Sequence, residues 1–176
     1  MDHQGWYDRK ENEFKRLVDI QFCAAMGPPG GGRTRITQRY VRHFNLINFV
    51  NFSDESLARV FTTILDWKLA QGFANPIKQL PSTVVEATIS VYNTIAASLL
   101  PTPAKSHYTF NLRDLSKVFQ GSLQGDSNTI KEKDVFIRLW AHECMRVFFD
   151  RLIDDADRAW FRELIKTTVK DKFGLE

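Results

Sequence analysis

Arg39 and Arg42 are the residues of this chain whose type and spacing most directly suggest chemistry. They lie three positions apart on a short predicted helix that comes after a Gly/Pro loop, so their side chains project from neighbouring faces and can point together. One interpretation is an arginine finger, a planar and always charged fork that neutralises charge on the γ-phosphate of a nucleotide held by an adjacent module. The other is a pair of solvated arginines on a helix face.

The loop before that helix resembles a phosphate-binding consensus. Residues 27–34 read G-x-x-x-x-G-R-T, one substitution from G-x-x-x-x-G-K-[ST], and they lie between a strand pattern and a helix pattern. A phosphate cradle needs a row of backbone N–H donors and a lysine that reaches the terminal phosphates. Pro28 and Pro29 remove two donors, and Arg33 replaces the lysine, which argues against a cradle.

Arg113 is a further candidate, because it comes after the predicted N-cap Asn111 and so lies in the first turn of a helix. A cation there opposes the helix dipole, which suggests an anionic partner; the alternative is an exposed arginine near a helix start. His142 and Glu143 begin like the zinc motif H-E-x-x-H, but Arg146 stands in place of the second histidine. No metal site and no stand-alone hydrolase are therefore predicted.

A small α/β part is predicted to position the first two arginines. Residues 17–25 alternate apolar with polar and then become wholly apolar, as in a strand that enters a covered sheet. A second apolar run at residues 44–49 predicts the next strand, and residues 4–13 are interpreted as a loop or short hairpin before the first one.

A helical bundle is predicted after this part, because apolar residues recur at helical spacing with no strand pattern among them. Ser53, Ser82 and Asn111 are the predicted caps of its first three helices, and two more helices come after these. The predicted fold is mainly α with a small α/β part, divided into residues 1–52 and a five-helix bundle over residues 53–176.

Several longer stretches carry a family resemblance. Residues 24–33 (AAMGPPGGGR) and 37–45 (TQRYVRHFN) closely resemble the part of a dynein heavy-chain AAA+ module that runs from the sensor 1 strand through the arginine-finger helix. Residues 1–10 (MDHQGWYDRK) resemble the segment after the Walker B strand in the third module of axonemal dyneins. Residues 100–116 (LPTPAKSHYTFNLRDLS) resemble the lid segment with sensor 2 in that module. The chain is thus similar to the C-terminal part of the large subdomain plus the helical lid.

The resemblance implies a role for each candidate residue. Arg42, ahead of Arg39, matches the arginine finger that acts in trans, and Arg113 matches sensor 2, which reaches the nucleotide of its own module. Gly27 stands where many AAA+ modules carry a polar sensor 1 residue, a departure that favours a site that holds nucleotide for regulation. Both Walker motifs are missing, so the chain looks like an excised fragment that is not expected to bind ATP tightly or hydrolyse it alone.

The function implied is a part of an ATP-driven, minus-end-directed microtubule motor. The implied ligands of the parent module are ATP or ADP with Mg²⁺. The implied partners are neighbouring AAA+ modules and, through the parent protein, microtubules and dynein intermediate and light chains; the implied location is the cytoplasm, cytoskeleton and axoneme of a cilium or flagellum. The alternative is a stand-alone helical protein-interaction module with a basic loop.

The composition agrees with a soluble globular domain, with 43% hydrophobic and 26% charged residues. A net charge of +3 with interspersed signs does not indicate a nucleic-acid partner. No apolar run approaches the ~20 residues that span a membrane, and no signal peptide pattern is present. Cys23 and Cys144 lie in apolar patterns, which predicts two reduced core residues.

Overall fold

The computed structural model describes residues 1–27 and 35–175, which form two compact units. The first unit spans Met1–Val50 and the second spans Asn51–Glu176. The phosphate-cradle motif of residues 27–34 lies, apart from Gly27, outside the described residues.

The first unit begins with a β-hairpin, which confirms the short hairpin suggested near the start of the chain. Strands β1 (Gly5–Tyr7) and β2 (Phe14–Arg16) pair antiparallel. The Asp8 carboxylate stabilises the connection, because it accepts hydrogen bonds from the Lys10 backbone N–H at 2.9 Å and from Lys15 Nζ at 2.6 Å.

The two longer strands predicted over residues 17–25 and 44–49 are wrong for this chain. Both runs lack strand structure and are largely exposed, with Phe22 49% and Phe49 86% accessible. A strand is stable only when its backbone groups pair with a neighbour, and the sheet of the described residues contains β1 and β2 alone. Cys23, in the first of these runs, is accordingly exposed instead of buried.

The second unit is the helical bundle that the sequence predicted. Its long helices are α2 (Asp54–Leu69), α4 (Pro81–Ser98), α5 (Leu112–Leu123), α6 (Lys133–Phe148) and α7 (Asp155–Phe173). Shorter pieces are α3 (Asn75–Lys78) and 3-10 turns at Pro103–Lys105 and Phe149–Arg151. Within the described ranges, none of the helices combines the length and the apolar character needed to cross a membrane.

Capping residues determine where the first helices of the bundle begin. Ser53 caps α2 as predicted, since its hydroxyl accepts a hydrogen bond from the Ser56 backbone N–H at 3.2 Å. Ser82 is wrong as the cap of α4, because that helix already begins at Pro81. Proline suits the first helical position, where its fixed φ is helical and its missing N–H would have no partner.

Helix α4 lies in the core and packs against α2, α5, α6 and α7. Its residues with no exposed surface are Val84, Val85, Ala87, Thr88, Val91 and Ile95. The buried Thr88 hydroxyl donates to the Val84 carbonyl at 2.6 Å and accepts from the Trp140 indole N–H at 2.8 Å. This polar contact joins α4 to α6 inside an otherwise apolar core.

Thr88→Val is expected to lower the free energy of unfolding by about 1–3 kcal/mol, because it leaves the Trp140 indole N–H buried without its acceptor. Urea unfolding followed by circular dichroism measures this loss. The matched control is Thr94→Val on the same helix, where the hydroxyl bonds only the Ser90 carbonyl of its own helix within the described residues. Equal losses in the two variants would contradict a role for the buried contact.

Candidate functional site

Arg39 and Arg42 are positioned by α1 (Gln38–Val41), a single helical turn in the first unit. The Thr37 carbonyl accepts the first helical hydrogen bonds of this turn from the N–H groups of Tyr40 and Val41. Arg39 lies within the turn and Arg42 is its C-cap, and both side chains are exposed. The Arg39 guanidinium makes no hydrogen bond or ion pair with any residue that the structure describes.

Arg42 pairs with Asp2. Its Nη2 donates to Asp2 Oδ1 at 2.8 Å, and His43 Nε2 lies 3.1 Å from the same oxygen. The hydrogen bond from Arg42 lowers the pKa of the Asp2 carboxyl below its usual 3.8. Because the two side chains of the pair remain 56% and 45% exposed, water and salt screen the contact. A phosphate, which offers more acceptor oxygens and more charge, can therefore replace Asp2 as the partner of Arg42.

Arg113 lies where the sequence placed it, exposed in the first turn of α5. Its backbone N–H donates to Asn111 Oδ1 at 2.9 Å. Asp114 completes the predicted capping box, since its Oδ2 accepts from the Asn111 N–H at 3.2 Å. The Arg113 guanidinium itself has no ion pair or hydrogen bond with the described residues.

The loop that leads into α5 is anchored on the start of α7. Tyr108 Oη donates to Asp157 Oδ2 at 2.9 Å and accepts from the Ile153 N–H at 3.1 Å. Lys105 Nζ pairs with Asp157 at 2.6 Å and also with Asp154. Hydrogen bonds from Lys105 and then Tyr108 lower the pKa of the Asp157 carboxyl, and the two aspartates raise the pKa of Lys105.

The candidates are divided between the two units. Arg39, Arg42 and Gly27 belong to the first unit and Arg113 to the second. Gly27 is half-buried, in a stretch without regular secondary structure. The donors that the three arginines offer are guanidinium groups, which suit phosphate oxygens.

The described residues contain no group of three or more His, Cys, Asp or Glu side chains placed to hold a metal ion. His142 and Glu143 do not begin a zinc site, because Glu143 pairs with Arg146 at 2.7 Å. The Glu143 carboxylate also lies so close to Gly121 that a Cβ there would be only 1.9 Å from its Oε2. This acidic side chain therefore serves the packing of α5 on α6.

Sequence patterns did not reveal the residues that hold the loop before α5. Arg151 donates to the His107 carbonyl at 3.0 Å and pairs with Asp114 at 2.8 Å. The only local signal was the capping-box carboxylate of Asp114. No periodic pattern relates residues that are so far apart in the sequence.

Two family models match this chain. One, described as the P-loop containing dynein motor region, matches residues 1–52, and one described as the AAA+ lid domain matches residues 84–175.

Curated relatives are similar over nearly the whole chain. Dynein axonemal heavy chain 1 of Homo sapiens is 52% identical over 94% of this chain and 4% of the relative. The Mus musculus protein of that name is 49% identical over 99% of this chain and 4% of the relative. Dynein axonemal heavy chain 12 of Rattus norvegicus is 49% identical over 96% of this chain and 6% of the relative. The chain thus spans only a small part of the length of these relatives.

Asp157→Asn is expected to destabilise the chain at pH 7, and this difference from the unaltered sequence should shrink at acid pH. The pKa of Asp157 is lower in the folded state than its usual 3.8. The stability that its ionised form contributes is therefore present above pH 3.8 and is lost as the pH falls through the lower, folded-state pKa. Urea unfolding at a series of pH values from about 7 to about 3 tests this expectation.

The matched control for Asp157→Asn is Asp155→Asn, which lies in the same first turn of α7 but has a fully exposed side chain. It should lose only the helix-dipole contribution and an exposed ion pair with Arg158 at 3.6 Å, each worth about 1 kcal/mol or less. The role of the ionised carboxylate would be contradicted if the loss of unfolding free energy in Asp157→Asn stayed constant across the pH series or equalled the loss in the control.

Proposed function

The chain belongs to the dynein heavy-chain family, and we propose that it supplies the trans-acting arginine and the nucleotide-facing lid of one AAA+ module in a dynein motor ring. Within that proposal the module is the third one of an axonemal heavy chain, and it holds nucleotide for regulation. The observation that carries the proposal is Arg113, an exposed guanidinium on a rigidly capped helix start.

Arg113 combines a fixed backbone with an available side chain. The capping box holds its backbone N–H, and the loop before it is held by Tyr108 and Lys105. Its guanidinium opposes the helix dipole and has no compensating anion among the described residues. A nucleotide phosphate would supply that anion, so Arg113 would join the orientation of the lid to the presence of nucleotide.

Arg42 fits the role of a finger that acts on a neighbouring module. It is exposed on a single helical turn, and its present partner Asp2 is exposed as well. Where the neighbouring site hydrolyses ATP, such a cation is worth on the order of 10³ or more in rate. Where the neighbour only holds ATP, the cation tightens binding and keeps the two modules together through the phosphate. Arg39, one turn earlier, is the second candidate for this role.

The ligand proposed for the parent module is ATP or ADP with Mg²⁺, whose phosphates Arg113 would contact. When bound, the ion and the phosphates supply the charge that these arginines neutralise. Gly27 has no side chain that could orient a water molecule. This supports a site that holds nucleotide and does not hydrolyse it rapidly. The proposed partners are the adjacent modules and, for the parent protein, microtubules and the accessory chains of an axonemal motor that moves toward the minus end.

Arg113→Ala in the full-length parent motor is expected to speed the release of a fluorescent ADP analogue from this module about tenfold, because a charge-assisted hydrogen bond to phosphate is lost. Stopped-flow fluorescence measures the release rate. Arg138→Ala, which removes an exposed arginine from α6, should leave the rate unchanged. An unchanged rate for Arg113→Ala together with a lower melting temperature would assign the residue a structural role only.

Arg42→Ala in the same motor is expected to lower nucleotide occupancy at the neighbouring module and to slow microtubule gliding. Arg42→Lys should restore little, because a point charge cannot reproduce the bidentate fork. Arg39→Ala is the matched variant on the same helical turn and should have the smaller effect. Unchanged occupancy and gliding speed for Arg42→Ala would refute its assignment, and a defect in Arg39→Ala would transfer the role to that residue.

A further inference from the structure

We infer that Arg151 is a positioning residue that fixes the first turn of α5 and thereby the direction in which Arg113 is presented. Arg151 ends the 3-10 turn after α6, and its side chain reaches the loop before α5 as well as α5 itself. The inference rests on the proposed contact of Arg113 with nucleotide. It adds a residue that touches no ligand but holds the one that does.

The Arg151 guanidinium crosslinks two stretches of chain. Its Nη2 donates to the carbonyls of His107 at 3.0 Å and Thr109 at 3.2 Å, and its Nη1 pairs with Asp114 Oδ2 at 2.8 Å. The guanidinium also lies over the Phe110 ring, 4.9 Å from its centroid. Both terminal nitrogens of the planar guanidinium thus have partners, an arrangement that a lysine cannot reproduce from the same position.

A contact from the His107 side chain to the Arg151 backbone also holds Arg151 in place. The His107 ring Nε2 lies 3.0 Å from the Arg151 carbonyl, so the two residues are joined twice. The backbone of the 3-10 turn and the loop before α5 therefore form one hydrogen-bonded unit.

The first turn of α5 depends strongly on Arg151 because its capping residue Asp114 is buried. The Asp114 side chain is only 7% exposed, and a buried carboxylate is costly unless a charge and hydrogen bonds compensate it. Arg151 is the close counter-charge, whereas the exposed Lys117 lies 3.6 Å from the other carboxylate oxygen. The same Oδ2 that binds Arg151 also accepts the Asn111 N–H of the capping box.

These contacts act on the first turn of α5 and not on the rest of the helix. Farther along α5, Leu115 and Val118 are fully buried and hold the helix in the core without Arg151. Loss of Arg151 should therefore loosen the cap and the direction of Arg113 while the bundle stays folded.

The test compares nucleotide release from full-length motors that carry Arg151→Met, Arg113→Ala or both. Arg151→Met should speed release of the fluorescent ADP analogue about threefold or more in the otherwise unaltered motor. It should have no further effect in the Arg113→Ala motor, because the effect passes through Arg113. Arg151→Lys keeps a charge beside Asp114 but not both carbonyl bonds, so an intermediate effect is expected.

Arg146→Met is the matched control. Arg146 also pairs with a nearly buried carboxylate, Glu143, at 2.7 Å, but this pair lies away from the start of α5. Its loss should lower the melting temperature without changing the release rate. Where Arg151→Met does not fold, as judged by circular dichroism, the Arg151→Lys motor provides the same comparison.

The outcomes are separable. If Arg113→Ala speeds release and the Arg151 variants do not, the positioning inference alone is overturned. If Arg151→Met speeds release equally with and without Arg113, its effect does not pass through that residue, and the inference is again overturned. If Arg113→Ala leaves release unchanged, the proposed function fails and the inference falls with it. A faster release for Arg151→Met that disappears in the double variant supports both.

Discussion

The packing of the long helices around α4 decides which surfaces the second unit can offer. Because α4 buries residues such as Val84, Val91 and Ile95 completely, each helix against it must turn an apolar stripe inward. On α5 this stripe includes Leu115 and Val118, and it leaves the preceding turn and Arg113 on the outer side. Core packing therefore decides which side of α5 faces outward, and the polar contacts at the start of α5 hold the turn that presents Arg113.

In the first unit, by contrast, the described residues include apolar runs but no buried core. Residues 17–25 and 44–49 contain strand-forming side chains, but within the described part of the chain no neighbouring strand pairs with them. Side chains such as Ile47, 78% exposed, present surface that a completed sheet would cover.

The sequence predicted those features that depend on nearby residues. The cap at Ser53 and the capping box of Asn111 and Asp114 are local chemistry, and the helical stripes result from spacing alone. The prediction of two longer strands was wrong, because pairing between strands is a long-range property that apolar alternation cannot guarantee. The contacts of Arg151 and Trp140 were missed for the same reason, since each joins elements that are distant in the sequence. Family resemblance supplied the roles proposed for the arginines, which residue patterns had left open.

The first turn of α5 has two electrostatic requirements that a single residue cannot meet. The helix N-terminus favours a negative group, and Asp114 meets this need with its charge held close by Arg151. The proposed phosphate ligand would require a positive group, and Arg113 offers one while its own side chain takes no part in the capping bonds. The helix start is thus already stable before any ligand arrives. Binding energy from a phosphate could then be used to orient the lid instead of forming the helix, which is what a nucleotide-responsive lid needs.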